Sequence, residues 1–270
     1  MILKEGLTTA FIFLMISAIL YLFCIHRSIR GKAPSIRRLP ALDAIDECVR
    51  RAVEMDRPVF YSTGVGGLRG GAMSMTLAGL SPLGYTARLA SSVDAKFTYI
   101  AAVPVIVPIA EDMLRTAYGE KYKGDEQIIY VPSQTALMSM VMGMYEREKP
   151  AANFLLGALY WETIILAEAG ARVGAMQVGG TGRLYQVCYT VALCDFALIG
   201  EELLAAGAYV EKGPSQLGTI LTSDILRSVI IVLGIIVRRQ QDTTSRRFSA
   251  SEVIPCHCLR EERYRWLLSH

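Results

Sequence analysis

The sequence predicts an α/β fold: a mainly parallel, doubly wound (Rossmann-like) sheet of about six strands. An N-terminal transmembrane helix precedes the sheet and a hydrophobic C-terminal helix follows it. Three observations carry this expectation. Residues 7–25 form a charge-free apolar stretch, short apolar runs alternate with helical patterns from 39 to 210, and a second hydrophobic stretch occupies 216–237. Strands separated by helical segments imply crossover connections, hence parallel pairing with helices on both faces.

The first element reads LTTAFIFLMISAILYLFCI. Nineteen helical residues at 1.5 Å each reach roughly 28 Å, close to the hydrocarbon thickness of a bilayer. Arg27, Arg30, Lys32, Arg37 and Arg38 follow with no acid among them, whereas Lys4 and Glu5 balance on the other flank. This asymmetry predicts an uncleaved anchor at a cell membrane with the main domain cytoplasmic. A cleaved leader would carry its basic residues before the apolar stretch and a small-residue cleavage site after it.

The elements of the body follow in order. Leu42, Ile45, Val49 and Val53 recur at helical spacing behind Pro40, a residue suited to a helix start. Strands are expected at 58–62, 96–103, 127–132, 152–158, 173–180 and 195–200, and further helices at 73–92, 106–118, 134–146, 160–171, 184–193 and 201–210. The strands are continuous apolar runs rather than alternating ones, the pattern of a sheet buried on both faces. At 216–237, Asp224 and Arg227 interrupt the apolar run and Arg238 and Arg239 close it. That stretch reads equally as a second span or as an interfacial helix. Four regions result: an anchor with its basic juxtamembrane segment (1–38), an α/β domain (39–215), a hydrophobic helix (216–237) and a basic tail (238–270).

Charge and residue usage exclude several functions. The chain holds 28 Lys and Arg against 25 Asp and Glu, but residues 39–237 contain 15 basic and 20 acidic ones, a net −5. An acidic body argues against nucleic acid as a partner. The basic juxtamembrane stretch suits a lipid bilayer with anionic headgroups. The three histidines are His26, His257 and His270, so the body has none, which excludes a Ser-His-Asp triad, a Cys-His pair or a histidine-rich metal site there. Cys24 lies in the apolar span, and Cys48, Cys188 and Cys194 sit in apolar contexts typical of buried thiols. Cys256, His257 and Cys258 lack a second close pair, so no metal site is expected. No cofactor is implied.

Several of these stretches carry a resemblance. ALDAIDE, RPVFYSTGVG, TLAGLSPLGYTARLA, VPIAEDMLR, REKPAANFLLG, ILAEAGARVGAMQVGGT and CDFALIGEELLAAGAYV occur in that order. Together they resemble a prokaryotic membrane-anchored family known only as a domain of unknown function, from about residue 39 to 236. The resemblance implies membrane association and a shared α/β domain, and brings no catalytic residues.

In an open parallel sheet, ligands bind beyond the carboxyl ends of the strands. Three segments are expected there. Ser62, Thr63, Gly64, Gly66 and Gly67 follow the first strand, where glycines let backbone N–H groups approach an anion. Gly179, Gly180, Thr181 and Arg183 follow the fifth, pairing a cation with a glycine turn. Glu201 and Glu202 follow the sixth, where acids suit a ribose, a general base or simply a helix N-terminus. Each segment also reads as an ordinary strand-to-helix turn. Glu162 and Glu168 read as solvated or interhelical carboxylates, and Met138, Met140, Met142 and Met144 as core or partner-facing thioethers.

The expected function is a non-catalytic subunit or scaffold of a membrane-associated assembly, packing against copies of itself or other membrane subunits. The alternative is a membrane-anchored enzyme or sensor that binds a small anionic or nucleotide-like ligand at the carboxyl ends of the strands.

Overall fold

The computed structural model describes residues 7–30, 37–211 and 213–251. Lys32, the Cys256, His257 and Cys258 cluster, and the tail past Ser251 lie outside the described residues. In chain order the elements are α1 (Leu7–Ile29), α2 (Pro40–Glu54), β1 (Val59–Gly64), α3 (Met73–Ser92), β2 (Phe97–Ala101), α4 (Val107–Tyr118) and β3 (Ile128–Tyr130). They continue with α5 (Gln134–Glu148), β4 (Ala152–Ala158), α6 (Glu162–Arg172), β5 (Met176–Thr181), α7 (Leu184–Leu193), β6 (Phe196–Ile199), α8 (Glu201–Glu211) and α9 (Pro214–Ser251). These residues divide into two compact units: Arg27–Leu217, and the residues up to His26 together with those from Gly218 on.

The first unit is the α/β domain. All six strands pair in parallel, in the order β3-β2-β1-β4-β5-β6. The connection from β3 crosses back to β4 beside β1, so the order reverses between those two central strands, the topology of the doubly wound fold. Successive side chains of β1 point to opposite faces. Val59 and Tyr61 enter one core with Ile45 and Val49 of α2, Leu83 and Ala87 of α3, Leu114 of α4 and Leu203 of α8. Phe60 enters the other core with Leu137 and Tyr145 of α5 and Leu166 of α6. β1, β2 and β4 are buried along their whole length, while the edge strands β3 and β6 are part-exposed.

Tyr61 shows what holds the central layer. Its fully buried ring packs on Tyr99 at 6.2 Å and Phe154 at 5.8 Å, and its hydroxyl donates to the Gly79 carbonyl at 2.5 Å. Gly79 allows this approach: a Cβ there would lie 2.0 Å from the Leu156 carbonyl oxygen, so α3 seats backbone to backbone on β4.

In the second unit, α1 meets α9 at a small residue. A Cβ on Gly218 would lie 2.8 Å from the Ile25 Cα, and the Thr219 hydroxyl donates to Tyr21 at 3.4 Å. Cys24 and Thr222 are buried. Small residues that let backbones close in this way are typical of helix pairs in membranes. Residues Phe11–Ile29 make a helix long and apolar enough by length and composition to cross a membrane, the one such helix among the described residues. Its Phe11, Ile12, Leu14, Ile16, Leu22 and Phe23 are exposed around the helix. α9 runs on to Ser251, so the boundary expected at 237 falls inside one continuous helix.

One expectation is corrected and one is resolved. Cys188 is exposed on α7 rather than buried, because the face of α7 toward the sheet is taken by Gln186 and Thr190. Of the two readings of Glu162, solvated or interhelical, the structure has the interhelical one: it is fully buried and accepts from Gln134 of α5.

Candidate functional site

The carboxyl ends of β1, β4, β5 and β6 form one row, because these strands are neighbours in that order. The three expected segments all lie along it. The β1 segment is separated from the β5 segment by β4. The β5 and β6 ends meet directly, Gly200 donating its N–H to the Thr181 carbonyl at 2.9 Å.

At the reversal point the β1 segment is closed. Ser62 and Thr63 are buried; the Ser62 hydroxyl donates to the Ile100 carbonyl at 3.1 Å, and Thr63 shares a 2.7 Å hydrogen bond with the Tyr99 hydroxyl. The Gly64 N–H meets Ser62 Oγ at 3.3 Å, and the Gly66 N–H donates to the Ala158 carbonyl at 3.2 Å. Gly64 adopts φ +78°, and a Cβ on Gly66 would lie 2.1 Å from the Ala158 Cβ. The glycines therefore bring the β1 turn against the end of β4, and their N–H groups are used internally. Gly67 alone of the three leaves room, with Val103 at 3.8 Å from a Cβ placed there.

The β5 segment is different. Gly179 and Gly180 are strand residues that make space for Cys194 and Leu156, and Thr181 is fully buried. Arg183 stands at the mouth. Its guanidinium carbon lies 3.8 Å above the Tyr160 ring, and its two terminal nitrogens donate to the Tyr160 hydroxyl at 2.5 Å and the Tyr185 hydroxyl at 2.8 Å. No carboxylate lies within 4 Å of it among the described residues. Its Nε is buried without a partner, as is Oε1 of Gln186 one turn along α7. Arg183 is thus a cation held in place by two phenols with its charge uncompensated locally.

Glu202, at the start of α8, is engaged on both oxygens. Oε1 accepts from Arg37, and Oε2 accepts the Ile199 N–H at 3.2 Å. Arg38 pairs with Asp43 at 3.1 Å. Two of the basic residues after α1 are therefore spent on acids of the α/β domain. Glu201 is exposed beside Glu202.

Sequence reasoning missed the residues that follow β4. Glu162 is buried because its Oε1 accepts the Tyr160 N–H at 3.0 Å and its Oε2 accepts the Gln134 side-chain N–H at 2.5 Å. Its backbone partner Tyr160 is the residue whose ring and hydroxyl hold Arg183. The signal was present as Tyr160, Trp161 and Glu162 directly after an apolar run, but its importance depends on β4 standing next to β1, which is a property of strand order. Burial pushes the Cys194 thiol up to about 12, with Asp195 adding to the shift. The Tyr99 phenol is likewise driven up by burial. Neither group is an acid or base available near neutral pH. Among the described residues no cluster of three metal-ligating side chains occurs.

Two grooves lie elsewhere on the α/β domain. One of about 470 Å3 is lined by Arg38, Asp43, Asp46, Tyr85 and Tyr209, whose hydroxyls donate to Asp46 at 2.8 Å and Asp43 at 2.6 Å. The other, of about 720 Å3, lies at the amino ends of β1, β2 and β3.

Fold and row together define a doubly wound parallel α/β protein whose reversal point is packed shut and whose open polar feature is a phenol-clamped arginine. The chain belongs to the family described as Domain of unknown function (DUF6754), which it matches over residues 2–250. No curated protein and no solved structure gives a significant match.

Proposed function

We propose that this protein is a non-catalytic subunit of a membrane-associated assembly. In this reading α1 tethers the α/β domain at the inner side of a bilayer, and the domain packs against a second copy or another membrane subunit. The observation that carries it is α7. The helix has no charged residue, and it leaves Leu184 85%, Tyr185 56%, Tyr189 43% and Val191 50% exposed. A contiguous apolar face of this kind marks an interaction site on a folded domain. Ile199 of the neighbouring edge strand adds to it, and Arg27, Arg30, Arg37 and Arg38 beyond the apolar run of α1 support the inward orientation. The closed β1 turn weighs on the same side, since it leaves no glycine cradle for a dinucleotide.

The test is size-exclusion chromatography with light scattering in mild detergent. The parent chain is expected as an oligomer or with a stoichiometric partner, and Leu184→Glu with Val191→Glu as a monomer of unchanged helicity. A monomeric parent with no co-purifying subunit refutes the reading.

Arg183 favours the alternative, a small anionic ligand at the carboxyl ends. That reading requires a thermal shift with inorganic phosphate or a sugar phosphate that Arg183→Met removes.

A further inference from the structure

We infer that the groove at the amino ends of β1, β2 and β3 is a binding site for a small, neutral, hydroxyl-rich molecule of the sugar or polyol class. This site is separate from the carboxyl-end row and from α7. Its floor is made by Thr98, Tyr118 and Gln127, which are only 8–9% exposed. The Tyr118 hydroxyl and Oε1 of Gln127 have no hydrogen-bond partner. A buried polar group without a partner is costly, and two of them lining one groove favour a polar occupant there. Burial also drives the Tyr118 phenol up, so it stays a neutral donor.

The rim selects the ligand's charge. Lys96 pairs with Asp56 at 2.9 Å, Lys121 with Asp94 at 2.7 Å and Lys123 with Glu126 at 3.3 Å, and Glu148 adds one more acid. The three pairs cancel and the surplus is negative, so an anionic ligand gains nothing here. A hydroxyl both donates and accepts, so it satisfies Tyr118 and either orientation of the Gln127 amide. The lysine side chains are 62–70% exposed, and their movement admits a ligand to the floor. The volume of about 720 Å3 falls in the range of small-molecule sites.

The test uses the full chain in an amine-oxide detergent, which carries no sugar headgroup. Methyl glucoside and myo-inositol are titrated by saturation-transfer NMR and calorimetry. Saturable binding is expected, weakened roughly tenfold by Tyr118→Phe and by Gln127→Leu, each of which removes one hydrogen bond. Glucose 6-phosphate is expected to bind more weakly than the neutral glucoside. Without ligand, Tyr118→Phe should leave the melting temperature unchanged or raised, because the lost hydroxyl was unpartnered. Bilayer discs with and without a glycosyl diacylglycerol separate a lipid headgroup from a free sugar: displacement of the glucoside by the glycolipid assigns the headgroup. Absence of saturable binding, tighter binding of the phosphate, or a marked loss of stability in Tyr118→Phe overturns the inference. None of these results depends on oligomeric state, so the assembly reading stands or falls separately.

Discussion

Gly66→Ala probes the closure of the reversal point directly. The new Cβ would lie 2.1 Å from the Ala158 Cβ, 3.1 Å from the Ala158 carbonyl oxygen and 3.2 Å from the Ala72 Cβ. Two methyl-type carbons need more than 3 Å, so the β1 turn must retreat from β4 by about 1 Å or more. That retreat stretches the 3.2 Å bond from the Gly66 N–H to the Ala158 carbonyl. Overpacking costs about 1–3 kcal/mol, and the weakened bond about 1 kcal/mol more. The stiffer unfolded chain returns roughly 0.4–1 kcal/mol. A net loss near 2–3 kcal/mol lowers the melting temperature by roughly 4–12 °C for a domain of this size. Circular dichroism of the detergent-solubilised chain measures it. Ala158→Gly removes the opposing carbon, so the double variant should recover most of the loss and give a coupling energy of roughly 1–2 kcal/mol, within the range seen for contacting residues. A Gly66→Ala chain that melts with the parent, or a double variant no better than the sum of the singles, refutes the closed turn and reopens the crevice to a ligand.

Other outcomes follow from the same geometry. Glu162→Ala leaves the Tyr160 N–H and the Gln134 amide without their acceptor and should cost roughly 2–4 kcal/mol, with Glu162→Gln losing less; thermal unfolding decides. In a chain whose Cys256 and Cys258 are replaced by Ser, a polar maleimide should label Cys188 while native and Cys48 only after unfolding, as mass spectrometry of the peptides would show. Burial pushes the Cys48 thiol from 9.0 up to about 12, with Glu47 adding to it, and burial followed by the bond to Asp46 pushes the Tyr85 phenol from 10.0 up to about 12. Folding therefore favours the neutral forms. The stability they contribute is complete below pH 9 and is lost as pH rises from about 9 to 12, so urea midpoints should fall over that window and fall less in Tyr85→Phe.

The fold was largely legible because apolar runs and helical stretches alternate without exception between Pro40 and Glu211. The bounds of α3, β4 and α7 agree with the sequence reading to the residue. The run ANFLLGA lacks β-branched residues yet forms the central β4, since burial on both faces overrides local propensity. Strand order was not legible, and the site depends on it. The glycines at 64 and 66 read as a ligand cradle or as an ordinary turn, and neither reading foresaw that they serve the approach of β1 to β4, a contact between segments some ninety residues apart. Glu162 could be read as interhelical, but its partners could not be named, because they are a backbone N–H set by the turn after β4 and Gln134 of α5. The methionine run divides between both expected uses: Met138 and Met144 are buried, Met140 and Met142 each 39% exposed.

The seat of Gly218 on Ile25 makes the long C-terminal helix sensitive to phase. An α-helix advances about 100° per residue, so one alanine inserted between Gly218 and Thr219 turns every later side chain by that amount relative to the Gly218 seat. The insertion would carry Thr219 off the face that meets Tyr21, whereas adding three or four residues would nearly restore the facing. A ladder of such insertions, scored by disulfide trapping between Cys24 and a cysteine placed at Thr222, would read out the rotation as a periodic signal.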